Sequence, residues 1–132
     1  MKRVLILDDN RDTLDLLQTS LSEVCDVCAF DRGIDALIKI LTGYRDGWQF
    51  DALVLDCALP YIDGFTIART VRQIEETGIA KQQTKIGFFT AYTQTVEQST
   101  LLAEVKADRY FRKPEDMGQL PELISAWLRE EK

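Results

Sequence analysis

The sequence predicts a doubly wound α/β domain in which five parallel strands alternate with five helices. Three observations lead there. Short apolar runs of strand length recur along the chain, and between them apolar residues return every three or four positions, the period of a helix with one buried face. Strands separated by helices run parallel, and right-handed crossovers place the helices on both faces of one sheet. The runs also end in polar residues, Asp8 and Asp9, Asp56, Thr90 and Lys113, which this topology would gather on one rim. At 132 residues the chain is read as one domain, residues 1–132.

The first strand is Val4 to Asp9, and Asn10 or Asp12 then caps a helix carrying Leu14, Leu17, Leu21 and Val24 on its buried side. Asp26 to Phe30 is a second short strand. Asp31 and Gly33 open a second helix whose buried face is read as Ile34, Leu37, Ile38 and Leu41. Thr42 to Gln49 is a turn-rich stretch through Asp46 and Gly47, with Trp48 as a lid on the edge of the core. The third strand, Asp51 to Asp56, is apolar enough to be buried on both faces, so Asp56 must stand at its end.

Pro60, Asp63 and Gly64 turn the chain into a third helix burying Phe65, Ile67, Ala68, Val71 and Ile74. Thr77 to Thr84 is a polar connector, and Lys85 to Ala91 a fourth strand ending at Thr90. Val96, Leu101, Leu102 and Val105 mark a fourth helix of weaker periodicity, which suggests a mobile element. Arg109 to Arg112 is a short fifth strand leading into Lys113 and Pro114. The last helix carries Leu120, Leu123, Ile124, Trp127 and Leu128, with Pro121 in its first turn, where a missing N–H costs least.

Composition removes several function classes. Lys and Arg number 16 against 22 Asp and Glu, a net charge of −6 that disfavours nonspecific attraction to nucleic acid. No run approaches membrane-spanning length, and the chain is read as cytoplasmic. Cys25 and Cys28 have CxxC spacing, but there is no second pair and the chain has no histidine, so a zinc site lacks ligands and the thiols are read as core cysteines. The same absence excludes a Ser/His or Cys/His nucleophile.

One strand-end Asp often does no more than cap a turn. Asp56 differs through its company. Carboxylates gathered from two strand ends repel one another by roughly 4 kcal/mol per pair at about 4 Å and an effective dielectric near 20, so such a cluster calls for a cation. Oxygen donors suit Mg²⁺, with Mn²⁺ as the alternative ion. A hydroxyl and an amine on the same rim, Thr90 and Lys113, supply what a phosphoryl group needs.

Nearly the whole chain resembles the receiver domain of a two-component response regulator, a single-domain regulator of the chemotaxis type. The matching residues are Asp8 and Asp9, Asp56, Pro60, Gly64, Thr90 with Ala91, Tyr110, and Lys113 with Pro114. The resemblance implies a flavodoxin-like fold with strand order 2-1-3-4-5. It implies that Asp56 is the phosphoacceptor, taking phosphorus from a phosphohistidine of a sensor histidine kinase or histidine phosphotransfer protein. Mg²⁺ would be held by Asp8, Asp9, Asp56 and the main-chain carbonyl of Ala58, and the phosphoryl group by Thr90, Ala91 and Lys113. Pro60, Gly64 and Pro114 would be structural, with a cis bond after Lys113. Thr90 and Tyr110 would form a switch that alters the face made by the fourth helix, fifth strand and fifth helix for an unidentified output protein.

Two residues depart from the pattern: Ala58 offers no polar side chain, and Tyr92 is bulky and is read as a shield for the acyl phosphate. The chain is expected to carry no effector domain and to be no enzyme in the usual sense, with no membrane and no direct nucleic-acid partner. The alternatives are a phosphate-independent binding module on the same fold, or a metal-dependent aspartyl phosphatase, for which LDDNRDT lacks the DxDxT spacing.

Overall fold

Val4, Leu5, Ile6 and Leu7 are all fully buried, as are Ala52, Leu53, Val54 and Leu55, which requires both faces of the two strands to be covered. The computed structural model, which describes residues 1–57, 62–90, 96–112 and 117–130, shows how. The chain runs β1 Lys2–Leu7, α1 Arg11–Leu21, β2 Cys25–Phe30, α2 Gly33–Asp46, β3 Ala52–Asp56, α3 Gly64–Glu76, β4 Lys85–Thr90, α4 Val96–Glu104, β5 Arg109–Arg112, a 3₁₀ turn Met117–Gln119, and α5 Leu120–Arg129. The strands form one parallel sheet in the order β2-β1-β3-β4-β5. The fold and strand order expected from the sequence are therefore present.

Strand alternation divides the core in two. Leu5 and Leu7, Leu53 and Leu55, and Ile86 and Phe88 pack against α2, α3 and α4, where the Phe65 and Phe88 rings stack 5.1 Å apart. Val4 and Ile6, Ala52 and Val54, Phe89 and Phe111 face α1 and α5, closed by Trp127 against Phe111 at 5.8 Å. Pro121 lies in the first turn of α5, as expected. The CxxC pair lies on β2, and its odd spacing sends Cys25 into one core and Cys28 toward the other. The two thiols therefore cannot share a metal.

The second helix departs from its sequence reading. It buries Gly33, Ala36, Ile40 and Gly43, while Ile34, Ile38 and Leu41 are 42%, 55% and 42% exposed and Leu37 is half-buried. The small residues face inward because the neighbouring chain comes close: a Cβ on Gly33 would meet the Ile62 carbonyl oxygen at 1.8 Å, and one on Gly43 the Trp48 carbonyl oxygen at 2.8 Å. The helix also continues through Thr42 to Asp46, which the sequence reading gave to a turn, and ends in a left-handed Gly47 whose N–H returns to the Tyr44 carbonyl. Trp48 packs edge-on to Phe50 at 5.3 Å, the lid expected of it. Val24 lies beyond the end of α1 and is 55% exposed, so it is not on that helix's buried face.

Candidate functional site

Register places the acidic residues. Leu7 of β1 is level with Leu55 of β3, so the next residue on each strand, Asp8 and Asp56, stand side by side on neighbouring strands at their carboxyl ends. Asp9 follows. One carboxylate oxygen from each of Asp8, Asp9 and Asp56 lies within 4.8 Å of the other two. Asp8 is fully buried, Asp56 half-buried and Asp9 exposed, so the cluster opens to solvent at one side.

Local hydrogen bonds hold this arrangement. The Asp8 amide donates to the Phe30 carbonyl at 3.1 Å, continuing the β1–β2 ladder one residue past the strand. Its carboxylate accepts from the Asn10 amide at 2.9 Å, and the Asn10 side chain in turn accepts from the Thr13 amide at 3.1 Å, capping α1. Strand end, acidic pair and helix cap thus form one rigid turn.

Behind Asp56, the Asp63 carboxylate caps α3 by accepting from the Thr66 amide at 2.9 Å and the Thr66 hydroxyl at 3.0 Å. Gly64, the first residue of α3, lies against the main chain of Asp56: a Cβ there would meet the Asp56 carbonyl oxygen at 2.3 Å and the Leu55 Cβ at 3.1 Å. Glycine at this position is what lets α3 approach the acidic strand end.

Cys57, next to Asp56, is buried, and burial with the nearby charges of Asp56 and Asp63 pushes its thiol up to about 12. Burial thus disfavours the reactive thiolate, in keeping with its reading as a buried neighbour. Thr90 closes β4, where it pairs with Arg112, and is described through its backbone alone. Tyr110 is 45% exposed on β5. Ala58, Pro60, Ala91, Tyr92, Lys113 and Pro114 lie outside the described residues.

Sequence reading missed Arg72. It sits on the inner face of α3 with Ala68 and Val71, and is 8% exposed. Its guanidinium donates to the carbonyls of Val105 (2.8 Å), Thr84 (2.8 Å) and Lys106 (2.9 Å) and to Glu75 (2.9 and 3.2 Å), with Asp108 at 3.6 Å. These bonds tie α3 to the chain entering β4 and β5. The available signal was an arginine at a core-facing helical position three residues before a glutamate.

Three oxygen donors of this kind fit a hard divalent cation, which accepts carboxylates and fills its remaining positions with water and phosphate oxygens. Among the described residues, no helix is long and apolar enough to cross a membrane.

Residues 4–125 match the family described as response regulator receiver domain. Among curated relatives, the response regulator ArlR of Staphylococcus aureus (strain Mu50 / ATCC 700699) is 33% identical over 130 residues, covering 98% of this chain and 53% of that protein. This chain therefore spans about half the length of the S. aureus relatives it matches. A structure described as the BeF3-activated DrrB receiver domain is 26% identical with a TM-score of 0.72, covering 98% of this chain and 99% of the other. The receiver domain of the histidine kinase CKI1 from Arabidopsis thaliana, complexed with Mg²⁺, is 23% identical with a TM-score of 0.77, covering 96% and 91%, and shares the fold.

Proposed function

The chain belongs to the response regulator receiver domain family, and from that premise we propose that Asp56 is its phosphoacceptor, charged by a phosphohistidine on a sensor histidine kinase or histidine phosphotransfer protein. As a receiver domain it is a phosphoacceptor signalling module and not a conventional enzyme. The observation that carries the assignment is the meeting of Asp8, Asp9 and Asp56 within 4.8 Å at the carboxyl ends of β1 and β3.

In the proposed reaction a carboxylate oxygen of Asp56 forms a bond to phosphorus as the phosphorus–nitrogen bond to the donor imidazole breaks, leaving an acyl phosphate. Asp8 and Asp9, with Asp56 itself and the Ala58 carbonyl, would hold Mg²⁺, which when bound supplies positive charge to the phosphoryl oxygens. The Mg²⁺ complex of the Arabidopsis receiver domain supports that choice of ion. Asp8 is buried and accepts from the Asn10 amide, while exposed Asp9 would leave the cluster open to a donor protein. Lys113, Thr90 and the Ala91 main chain would bind the phosphoryl oxygens.

The output would be a change at α4, β5 and α5 coupled through Thr90 and Tyr110. Tyr110 is half exposed in this structure, so an inward turn of its ring would alter that surface.

Incubation with Mg²⁺ and a small acyl phosphate donor tests the assignment by intact mass. The expected result is a single phosphoryl adduct on the wild-type chain and none on Asp56→Asn. Absence of uptake by the wild type would leave a phosphate-independent binding module, and continuous hydrolysis of phosphate esters would make the chain a phosphatase.

A further inference from the structure

Asn10 joins the acidic strand end to the first helix through bonds made in both directions. Its main-chain N–H donates to Asp8 Oδ1 at 2.9 Å, its side-chain Oδ1 accepts from the Thr13 N–H at 3.1 Å, and its carbonyl accepts from the Leu14 N–H at 3.1 Å. Thr13 and Leu14 are each 1% exposed, so the turn that Asn10 caps is anchored in the core. We propose that Asn10 is a positioning residue for the metal: by capping α1 it fixes the amide that holds the Asp8 carboxylate, and so sets the affinity of the acidic cluster for Mg²⁺. The proposal rests on the reading of Asp8, Asp9 and Asp56 as the cation site.

Three carboxylates within 4.8 Å repel one another, so each side chain must be held if the cluster is to be ready for an ion. The sheet ladder, which the Asp8 amide extends to the Phe30 carbonyl, fixes the main chain of Asp8 but not its carboxylate. The Asn10 amide bonds the carboxylate itself, and its direction depends on the extended conformation of Asn10, φ −85° and ψ 109°, which the cap closes onto the helix. That amide belongs to the peptide unit shared with Asp9. Loss of the cap oxygen would free the Thr13 amide, loosen the first turn of α1, and let this peptide unit rotate. Two of the three carboxylates would then lose their fixed placement.

Groups that hold a metal ligand from behind act by setting its geometry before the ion arrives, which leaves less ordering to be done on binding. Such coupling is reciprocal. If the cap strengthens Mg²⁺ binding, bound Mg²⁺ must strengthen the cap by the same factor. A cap that serves α1 alone would contribute equally with and without the ion. The Asn10 side chain is exposed, so it can be replaced without opening the core.

Titration of the unphosphorylated chain with Mg²⁺ alone, followed by amide NMR shifts, tests it. Asn10→Ala keeps the main-chain donor but removes the cap oxygen, and should weaken Mg²⁺ binding by about tenfold. Asn10→Ser, whose hydroxyl caps a helix as well as asparagine does, should stay within about twofold of wild type. In urea unfolding, the stability lost in Asn10→Ala should be larger at saturating Mg²⁺ than without it by about 1.4 kcal/mol, the free-energy equivalent of that tenfold. An Ala variant that binds as tightly as wild type, equal losses with and without Mg²⁺, or a Ser variant as weak as Ala would each overturn the proposal while the reading of the acidic cluster stands. Wild type whose amide shifts ignore Mg²⁺ would overturn both. Circular dichroism of each variant confirms that the fold is retained.

Discussion

The two ends of α3 treat charge in opposite ways. At its N-terminus, Gly64 lies against the main chain of Asp56, where three side chains of the same sign meet within 4.8 Å. Two turns along, Arg72 is surrounded by what a cation needs: two carboxylates, from Glu75 and Asp108, and the carbonyls of Thr84, Val105 and Lys106. The second cluster carries both signs and is completed by the chain itself, so it holds the fold. The first brings three carboxylates together on a rim that opens to solvent at Asp9, an arrangement suited to a ligand of the other sign. One rigid helix joins them, which ties the strand end carrying Asp56 to the supports of β4 and β5.

The largest effect should come from breaking the self-contained end. Arg72→Ala takes the guanidinium donor from the carbonyls of Val105, Thr84 and Lys106 and the counter-charge from Glu75, and is expected to lower stability by about 3–5 kcal/mol, read from urea unfolding. The acidic end should behave otherwise: Mg²⁺ at about a hundred times its dissociation constant should stabilise the wild type by about 2.7 kcal/mol. That increment should shrink in Asp56→Asn yet persist in Arg72→Ala. An equal increment in all three would place the ion elsewhere.

The smallest effect sharpens the link between the two ends. Gly64→Ala forces a Cβ against the Asp56 carbonyl oxygen, 2.3 Å away if nothing moves, and should cost about 1–3 kcal/mol. Because the atom displaced belongs to Asp56, this variant should also lose part of the Mg²⁺ increment, measured in the same titration. A stability loss with the full increment retained would show that α3 can retreat without disturbing the acidic strand end.

Sequence reading put Asp8, Asp9 and Asp56 at strand ends on one rim, where their carboxylates do meet, because a strand buried on both faces can keep an ionised group only at its end, and that constraint is written in the run of apolar residues itself. It also placed Gly64, though without the reason, the approach of α3 to the Asp56 main chain. Arg72 was legible only as an arginine on the apolar side of α3; its role is set by carbonyls from residues far along the chain, which the local pattern does not contain.

What the sequence alone determined is the alternation of strands and helices and the common rim of the acidic ends of β1 and β3, since periodicity and strand termini are local properties. Which side of α2 turns inward was decided only by the tertiary structure. That helix is apolar on more than one side, so its pattern does not choose. The close approach of Ile62 at Gly33 and of Trp48 at Gly43 does: only glycine fits at those two positions, which turns Ala36 and Ile40 inward with them and leaves Ile34, Ile38 and Leu41 outside. Packing at that distance selects for small volume over hydrophobicity.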